Sequence, residues 1–156
     1  MTITFKIIYM KNIKNKALVE QIVIVSYLLE SIAHKTVLEP LGLTMTGYKI
    51  LHILNENGSM AISEIITCLG ASKSNISQRL DFLEKNEFVK RSAVAGGDKR
   101  QVMILLTKKG EEKYGEAKNI LKREWIKLEE IFTEKEIGEM SGFMNKMFEK
   151  LISNIK

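Results

Sequence analysis

The stretch that decides the fold runs from Ser72 to Thr107 and reads SKSNISQRLDFLEKNEFVKRSAVAGGDKRQVMILLT. Its first half predicts a helix, since Ser72 is a favourable N-cap whose hydroxyl can accept a hydrogen bond from an amide of the first turn. Ile76, Leu80 and Leu83 then follow at the spacing of one buried helix face. The opposite face is polar and rich in hydrogen-bonding groups, and it carries Ser74, Asn75, Ser77, Gln78, Asp81 and Lys85.

The second half of the stretch predicts a two-stranded hairpin. Phe88–Arg91 and Gln101–Leu106 are rich in residues that favour strands. Gly96 and Gly97 between them supply the permissive backbone that a hairpin tip needs. The tip also carries Asp98, Lys99 and Arg100. A helix with a polar outer face, followed by a hairpin with a basic tip, is the layout of a winged helix, and such a helix suits the major groove of DNA.

Composition and charge agree with a nucleic-acid partner. Residues 72–109 carry nine Lys/Arg and four Asp/Glu, a net of +5 that equals the surplus of the whole chain (24 minus 19). A length of 156 residues with 45% hydrophobic content predicts one domain, or one domain with an appended assembly element. The single cysteine fits a reducing cytoplasm. We find no apolar run of membrane-spanning length and no secretory signal, so we expect a cytoplasmic protein.

A long helix is predicted at residues 17–38, ahead of the deciding stretch. Ile24, Val25 and Leu28 broaden its main apolar face, which is lined by Val19, Ile22, Val23, Leu29, Ile32, Ala33 and Val37. This apolar surface is wider than one side of a small domain needs to cover. A second subunit is therefore expected to cover the remainder.

Shorter helices complete the pattern. One is capped by Thr44, and another at about residues 63–69 forms a helix-turn-helix with the helix that follows Ser72. Thr107 and Thr133 are expected to cap two C-terminal helices, the second of which has a Met-rich apolar face. The expected organisation is an N-terminal extension at residues 1–16, a dimerisation helix at 17–38, a winged helix-turn-helix DNA-binding lobe at 39–109 and C-terminal dimerisation helices at 110–156.

Three segments, in order and at normal spacing, resemble the MarR (multiple antibiotic resistance regulator) family. They are LEPLGLTMTGYKILHIL (Leu38–Leu54), AISEIITCLGASKSNISQRLDFLEKNEFVKR (Ala61–Arg91) and GDKRQVMILLTKKG (Gly97–Gly110). The last contains the family's wing signature, Asp-x-Arg followed by alternating apolar residues and Leu-Thr-x-x-Gly. The resemblance implies a mainly α (α+β) fold, in which N- and C-terminal helices interlock in a homodimer and two winged helices straddle a pseudo-palindromic operator.

The chemistry of the helix and the resemblance together suggest how DNA is contacted. Asn75 and Gln78 suit adenine, whereas Arg79 is better placed for phosphate. By analogy with the family, Asp98 braces the wing and Arg100 enters or lines the minor groove, which attracts arginine where it is narrow. The predicted DNA-binding residues are Ser72, Lys73, Ser74, Asn75, Ser77, Gln78 and Arg79 on the helix, and Asp98, Lys99 and Arg100 on the wing. Asp81 has no role in this scheme.

Members of the family commonly bind small anionic or aromatic compounds in a cleft between the dimer helices and the DNA-binding lobe. The polar groups expected on the helices that would line that cleft are His34, Tyr48, Lys49 and His52. An effector held there would shift the dimer toward a spacing that no longer fits the operator. The alternative is that they are ordinary boundary residues with solvated tips. Cys68, expected to be partly outward and lacking a second cysteine, is interpreted as an ordinary thiol rather than a redox sensor.

No catalytic or metal-binding pattern is visible. His34 and His52 are far apart in sequence, and neither lies in a metal motif or beside a plausible nucleophile. Gly96 and Gly97 lack the strand–glycine–helix context of a phosphate loop. We therefore expect no enzymatic activity, no metal and no cofactor.

The predicted function is sequence-specific binding of double-stranded operator DNA by a cytoplasmic homodimeric transcriptional regulator. A repressor released by a small anionic or aromatic effector is the favoured form, and an activator remains open. The alternative is a winged-helix assembly protein that binds protein or RNA. The net charge of +5 in the helix–wing segment, together with the donor-rich outer face of its helix, favours DNA. Steep salt dependence of binding would separate the two functions further, since several phosphate contacts release counterions.

Overall fold

The computed structural model describes residues 13–93 and 102–154. A short 3-10 turn, Ile13–Asn15, precedes helix α1 (Leu18–Ala33), which continues into a π-helical turn, His34–Leu38. The remaining elements are α2 (Met45–Asn57), β1 (Met60–Ala61), α3 (Ile62–Leu69), α4 (Lys73–Lys85), β2 (Val89–Ala93), β3 (Val102–Leu106), α5 (Lys108–Glu129) and α6 (Glu134–Ser153). The mainly α fold with a small antiparallel sheet is confirmed. The chain divides into two compact units, residues 1–118 and 119–156.

The antiparallel sheet has the strand order β1-β3-β2. Strands β2 and β3 pair from Val89 opposite Leu106 to Ala93 opposite Val102, which confirms the predicted hairpin pairing. Strand β1 pairs with β3 through Met60 and Ile104. The residue pattern predicts a two-stranded ribbon without β1, because a two-residue strand is too short to show a periodic pattern.

The core of the first unit lies where α2, α3, α4 and β3 meet. Ile76, Leu80 and Leu83, predicted as one buried face of α4, each have 0% of their surface exposed. Burial of a leucine or isoleucine side chain stabilises the fold by about 1.5–3 kcal/mol. These three residues therefore fix the rotation of α4 and turn its opposite face outward.

Side-chain caps begin the helices at the predicted positions. Thr44 accepts from the Gly47 amide at 3.0 Å, and Ser72 accepts from the Asn75 amide at 3.3 Å. Thr107 accepts from the Gly110 amide at 3.0 Å, which confirms it as the cap of α5. Thr133 and Glu136 form the predicted capping box of α6, with Thr133 accepting from the Glu136 amide and the Glu136 carboxylate accepting from the Thr133 amide. The pKa of Glu136 is lowered because its carboxylate accepts from the Thr133 amide and also from the Thr133 hydroxyl, each at 2.8 Å.

The inward face of the first helix agrees with the predicted one only at its C-terminal end, where Ala33 and Val37 are each 3% exposed. Ile24, placed at the margin by the sequence analysis, is 8% exposed, whereas Val19, Val23 and Ile32 are 54–61% exposed. Apolar residues surround most of this helix, so their periodicity does not single out one side. Tertiary packing selects the side instead.

Residues Leu18–Leu38 also pass a compositional test for a membrane span. The segment has 21 residues and a mean hydropathy of 1.2, and 22% of the tested window is buried. Glu20 and Glu30 lie within this segment, so it holds no uninterrupted apolar run of spanning length. One helix of this kind near the N-terminus is weak evidence for a membrane, since the core helix of a soluble protein passes the same test.

Candidate nucleic-acid interface

The outer face of α4 presents the polar residues predicted to meet DNA. Ser72, Lys73, Ser74, Asn75 and Gln78 are exposed, whereas Ser77 and Arg79 are half-buried. The other side of the helix is buried, so this face is the one exposed among the residues that the structure describes in the first unit. The structure therefore brings these residues together on one surface, and their contacts with DNA remain predictions.

The turn before α4 sets where this face begins. Gly70 ends α3 with a left-handed backbone (φ 58°), a conformation that glycine adopts without the steric cost of a side chain. The hydroxyl groups of Ser72 and Ser74 lie 3.2 Å apart at the first turn of α4. Free amides and the helix dipole at such a terminus favour an anion such as a DNA phosphate.

Phe82 is an apolar residue on the outer face of α4, which the residue pattern predicts to be polar. Its side chain is 41% exposed, and it lies four residues after Gln78 and seven after Asn75, so the three share one side of the helix. A complete helical wheel would have placed it there. A phenylalanine on a groove-facing surface can pack against the methyl group of thymine.

Arg91 on β2 forms an ion pair with Asp81, the residue of α4 to which the residue pattern assigns no role. One terminal nitrogen of the Arg91 guanidinium lies 2.6 Å from Asp81 Oδ1. The other terminal nitrogen donates to the Glu84 carboxylate. The acidic flank of α4, Asp81 and Glu84, is thus held to the first strand of the wing.

A second set of contacts joins the two ends of the hairpin. The Thr107 hydroxyl donates to the Glu87 carbonyl at 2.5 Å, and Lys109 Nζ lies 3.0 Å from Glu87 Oε2. Glu87 has a positive φ of 62°, unusual for a residue with a side chain. Gly110 packs directly against the carbonyl of Phe88, leaving no room for a Cβ. These contacts set the direction in which β2 and β3 leave the helices.

The predicted wing-tip residues lie outside the described part of the chain. Ala93 pairs with Val102 at the end of the described hairpin. Asp98, Lys99 and Arg100 fall between these two positions in the sequence. Their roles at DNA therefore remain predictions.

Two of the predicted effector residues meet around Tyr114, which the sequence analysis did not single out. His52 Nδ1 lies 2.8 Å from the Tyr114 hydroxyl, and the rings of Tyr48 and Tyr114 are 5.6 Å apart. Burial raises the pKa of the Tyr48 phenol, and the neighbouring Tyr114 raises it further. Lys118 Nζ lies 5.4 Å from the centre of the Tyr114 ring. Tyr114 is 3% exposed and shares its helix side with Ala117, a spacing that could have revealed it.

The other two predicted effector residues are Lys49, on the same helix as Tyr48, and His34. Lys49 forms an ion pair with Glu30 of α1, with Nζ 2.6 Å from Oε1. His34 lies half-buried in the π-helical turn. The structure therefore brings Tyr48 and His52 together at Tyr114, and a role of these residues in binding an effector remains a prediction.

Cys68 is exposed and borders a shallow cavity of about 370 Å³, together with Met60, Ser63, Glu64 and Thr67. The Glu64 carboxylate in that cavity accepts a hydrogen bond from the Ala61 amide at 2.7 Å. Within residues 13–93 and 102–154, no cluster of three or more His, Cys, Asp or Glu residues could hold a metal ion.

Comparisons with other proteins agree with the winged-helix arrangement of these helices and strands. Residues 47–124 match the family described as "Winged helix DNA-binding domain". Two uncharacterized HTH-type transcriptional regulators of Bacillus subtilis (strain 168) are similar in sequence. YfiV is 43% identical over 67 residues (43% of this chain and 41% of YfiV), and YwoH is 35% identical over 79 residues (51% of this chain and 56% of YwoH). The chain spans about half the length of the curated relatives it matches.

Solved structures show the same fold. Wild-type MarR (apo form) from E. coli superposes with a TM-score of 0.76 at 20% identity, covering 85% of this chain and 97% of that one. MepR, a transcription regulator of the Staphylococcus aureus multidrug efflux pump MepA, gives a TM-score of 0.72 at 20% identity, covering 87% and 99%. At this identity the likeness establishes the fold.

Proposed function

Because the chain belongs to the family of winged-helix DNA-binding domains and has the fold of MarR-type regulators, we propose that it is a homodimeric repressor of a pseudo-palindromic operator. Family and fold are those of transcriptional regulators, which are not enzymes. The outer face of α4 carries the proposal. Three fully buried residues turn a row of exposed polar groups outward on the element that a winged helix inserts into DNA.

The proposed DNA contacts follow from the chemistry of that face. Asn75 and Gln78 can each donate to and accept from the major-groove edge of adenine. Ser72, at the N-terminus of α4, can hold a phosphate. Lys73 and Arg79 add positive charge beside it, and phosphate contacts set register and orientation without reading sequence.

Replacement of Gln78 by alanine is expected to relax base preference at one position of each half-site. The loss of one such base contact should reduce discrimination there by about 1 kcal/mol. Selection of bound sequences from a randomised DNA pool would measure this preference. Lys73→Ala is the matched control, since loss of a phosphate contact should weaken binding to all sequences alike. An unchanged sequence preference in Gln78→Ala would remove Gln78 from the set of base-reading residues.

The homodimer is supported by apolar surface that a single chain leaves exposed. In the second unit, no residue of α6 is buried, although this helix carries six large exposed apolar residues: Met140, Phe143, Met144, Phe148, Leu151 and Ile152. In the first unit, α1 separately exposes Val19, Val23 and Ile32. Soluble monomers rarely expose such patches. A second copy of this chain, joined by a two-fold axis, is the occupant that we propose.

Phe148→Glu is expected to convert the dimer into a monomer. Phe148 is 64% exposed in the single chain, so the substitution should disturb the helix little and act on the interface. Analytical ultracentrifugation would measure the change in mass. Glu149→Gln, a neutralising change at the next residue, should leave the dimer intact. A dimer in the Phe148→Glu variant would contradict the assignment of this face to the interface.

An effector site is proposed at Tyr48, His52 and Tyr114. Two aromatic rings, an imidazole and the nearby Lys118 cation suit a small aromatic anion. A ligand bound there would lower DNA affinity only if it binds the DNA-free arrangement more tightly. Calorimetric titration with benzoate and with benzyl alcohol, using the wild type and Lys118→Ala, would test the preference for an anion. Equal affinity for both compounds in both proteins would contradict it.

Binding of the protein to operator DNA is the first test of the proposed function. We expect the purified protein to bind DNA from upstream of its own gene tightly and with steep salt dependence, and to bind unrelated DNA of equal length weakly. A regulator acting on chromosomal DNA would work in the cytoplasm. Equal weak binding to both fragments would instead favour the alternative function, a winged helix that binds protein or RNA.

A further inference from the structure

We infer that Arg91 is a positioning residue for DNA binding, which offsets one of the two negative charges on the acidic flank of α4 and holds this flank against the first strand of the wing. The inference rests on the proposed function, because it concerns how the winged helix meets DNA. It assigns a purpose to Asp81 and Glu84, two negative charges on an element that would approach a polyanion.

The geometry of the contact is specific. Asp81 and Glu84 lie one turn apart on the same flank of α4, and their side chains are 65% and 37% exposed. Arg91 reaches both carboxylates with different nitrogens of one guanidinium. A lysine has a single ammonium group and lacks this planar fork. Arg91 also pairs with Ile104 within the β2–β3 ladder, so its backbone position is fixed by the sheet.

The position of this flank makes its charge important for DNA binding. Asp81 follows Gln78 by three residues, so the acidic flank adjoins the polar face of α4. Double-stranded DNA carries about one negative charge per 1.7 Å of its axis and repels free carboxylates. Arg91 offsets one of the two negative charges and fixes both carboxylates toward β2. Exposed ion pairs add little to stability, so the effect is expected in DNA affinity rather than in folding.

A double-mutant cycle tests the inference. Arg91→Ala should lower operator affinity by about tenfold or more, because it frees two carboxylates beside the phosphates. Lys90→Ala, an equal loss of charge at the adjacent exposed residue, should lower it by about threefold or less. The pair Asp81→Asn and Glu84→Gln should change affinity little when Arg91 is present. In the Arg91→Ala background, the same pair should restore affinity to within about threefold of the wild type.

Several outcomes would overturn the inference. If the two neutralising substitutions raise affinity by the same factor in both backgrounds, Arg91 and the carboxylates act independently. A second outcome is that Arg91→Ala lowers the slope of log affinity against log salt concentration by about one, and that neutralising Asp81 and Glu84 does not restore this slope. Arg91 would then itself be a phosphate contact. Equal operator affinities of the Arg91→Ala and Lys90→Ala variants would also exclude a positioning role for Arg91, because the loss would then reflect charge alone. Failure of the wild type to bind any DNA specifically would instead contradict the proposed function.

Folding is monitored in the same experiment. The thermal midpoints of the Arg91→Ala and wild-type proteins should agree to within a few degrees, about what loss of an exposed ion pair produces. If Arg91→Ala does not fold, Arg91→Lys provides the second variant. It keeps the charge but loses the fork, and should give a smaller loss that is again restored by neutralising Asp81 and Glu84. Absence of that restoration would contradict the inference.

Discussion

Gly110→Ala is expected to destabilise the winged-helix unit by about 3 kcal/mol or more, the upper end of the range for overpacking, or to prevent folding. A Cβ at this position would lie 1.9 Å from the carbonyl oxygen of Phe88 and 2.9 Å from its carbonyl carbon. These are backbone atoms, which cannot move aside as a side chain does. The same oxygen accepts from the Thr107 amide at 3.1 Å, and the Phe88 amide donates to Leu83 at 2.8 Å.

Urea unfolding followed by circular dichroism would measure the loss. Gly115→Ala is the matched control, because it lies on the same helix and a Cβ there would meet no atom within 4 Å. It should stabilise the protein by about 0.5–1 kcal/mol through the helix propensity of alanine. Equal stability of the two variants would show that the close approach of Gly110 to Phe88 is relieved at little cost.

Arg100→Ala is expected to weaken operator binding by about tenfold or more while leaving the thermal midpoint unchanged. This expectation comes from the wing signature at residues 97–110 and from the affinity of arginine for narrow minor grooves. Asp98, two residues earlier, is expected to orient the guanidinium, so Asp98→Asn should reproduce part of the loss.

A gel-shift titration at fixed salt would measure the effect of Arg100→Ala. Lys108→Ala removes one positive charge from an exposed position at the start of α5 and serves as the control for net charge. Its effect should be much smaller than that of Arg100→Ala. Unchanged affinity in Arg100→Ala would exclude the proposed groove contact.

Much of the winged helix was predictable because its signals are local. Ser72, Thr107 and Thr133 cap helices through hydrogen bonds that reach only three residues along the chain. The spacing of Ile76 and Leu80 identifies the buried side of α4, since a helix repeats every 3.6 residues. The polar row on the other side of that helix follows from the same period.

Contacts between residues that are far apart in the sequence were not predictable from local patterns. His52 meets Tyr114, 62 residues later, and Arg91 meets Asp81 through the turn between α4 and β2. The two-residue strand β1 exists only because β3 pairs with it. Each of these contacts depends on where one element lies relative to another, which a local pattern does not encode.

By itself, the sequence determined the helices of the DNA-binding segment, their caps, the pairing of β2 with β3 and the outward face of α4. Only the tertiary structure decided that Ile24 rather than Val23 faces inward on α1, and that Gly110 must stay small. It also decided that Arg91 holds the acidic flank of α4. The physical reason is range: caps and helical periods act over a few residues, whereas packing and ion pairing join residues that meet only once the chain has folded.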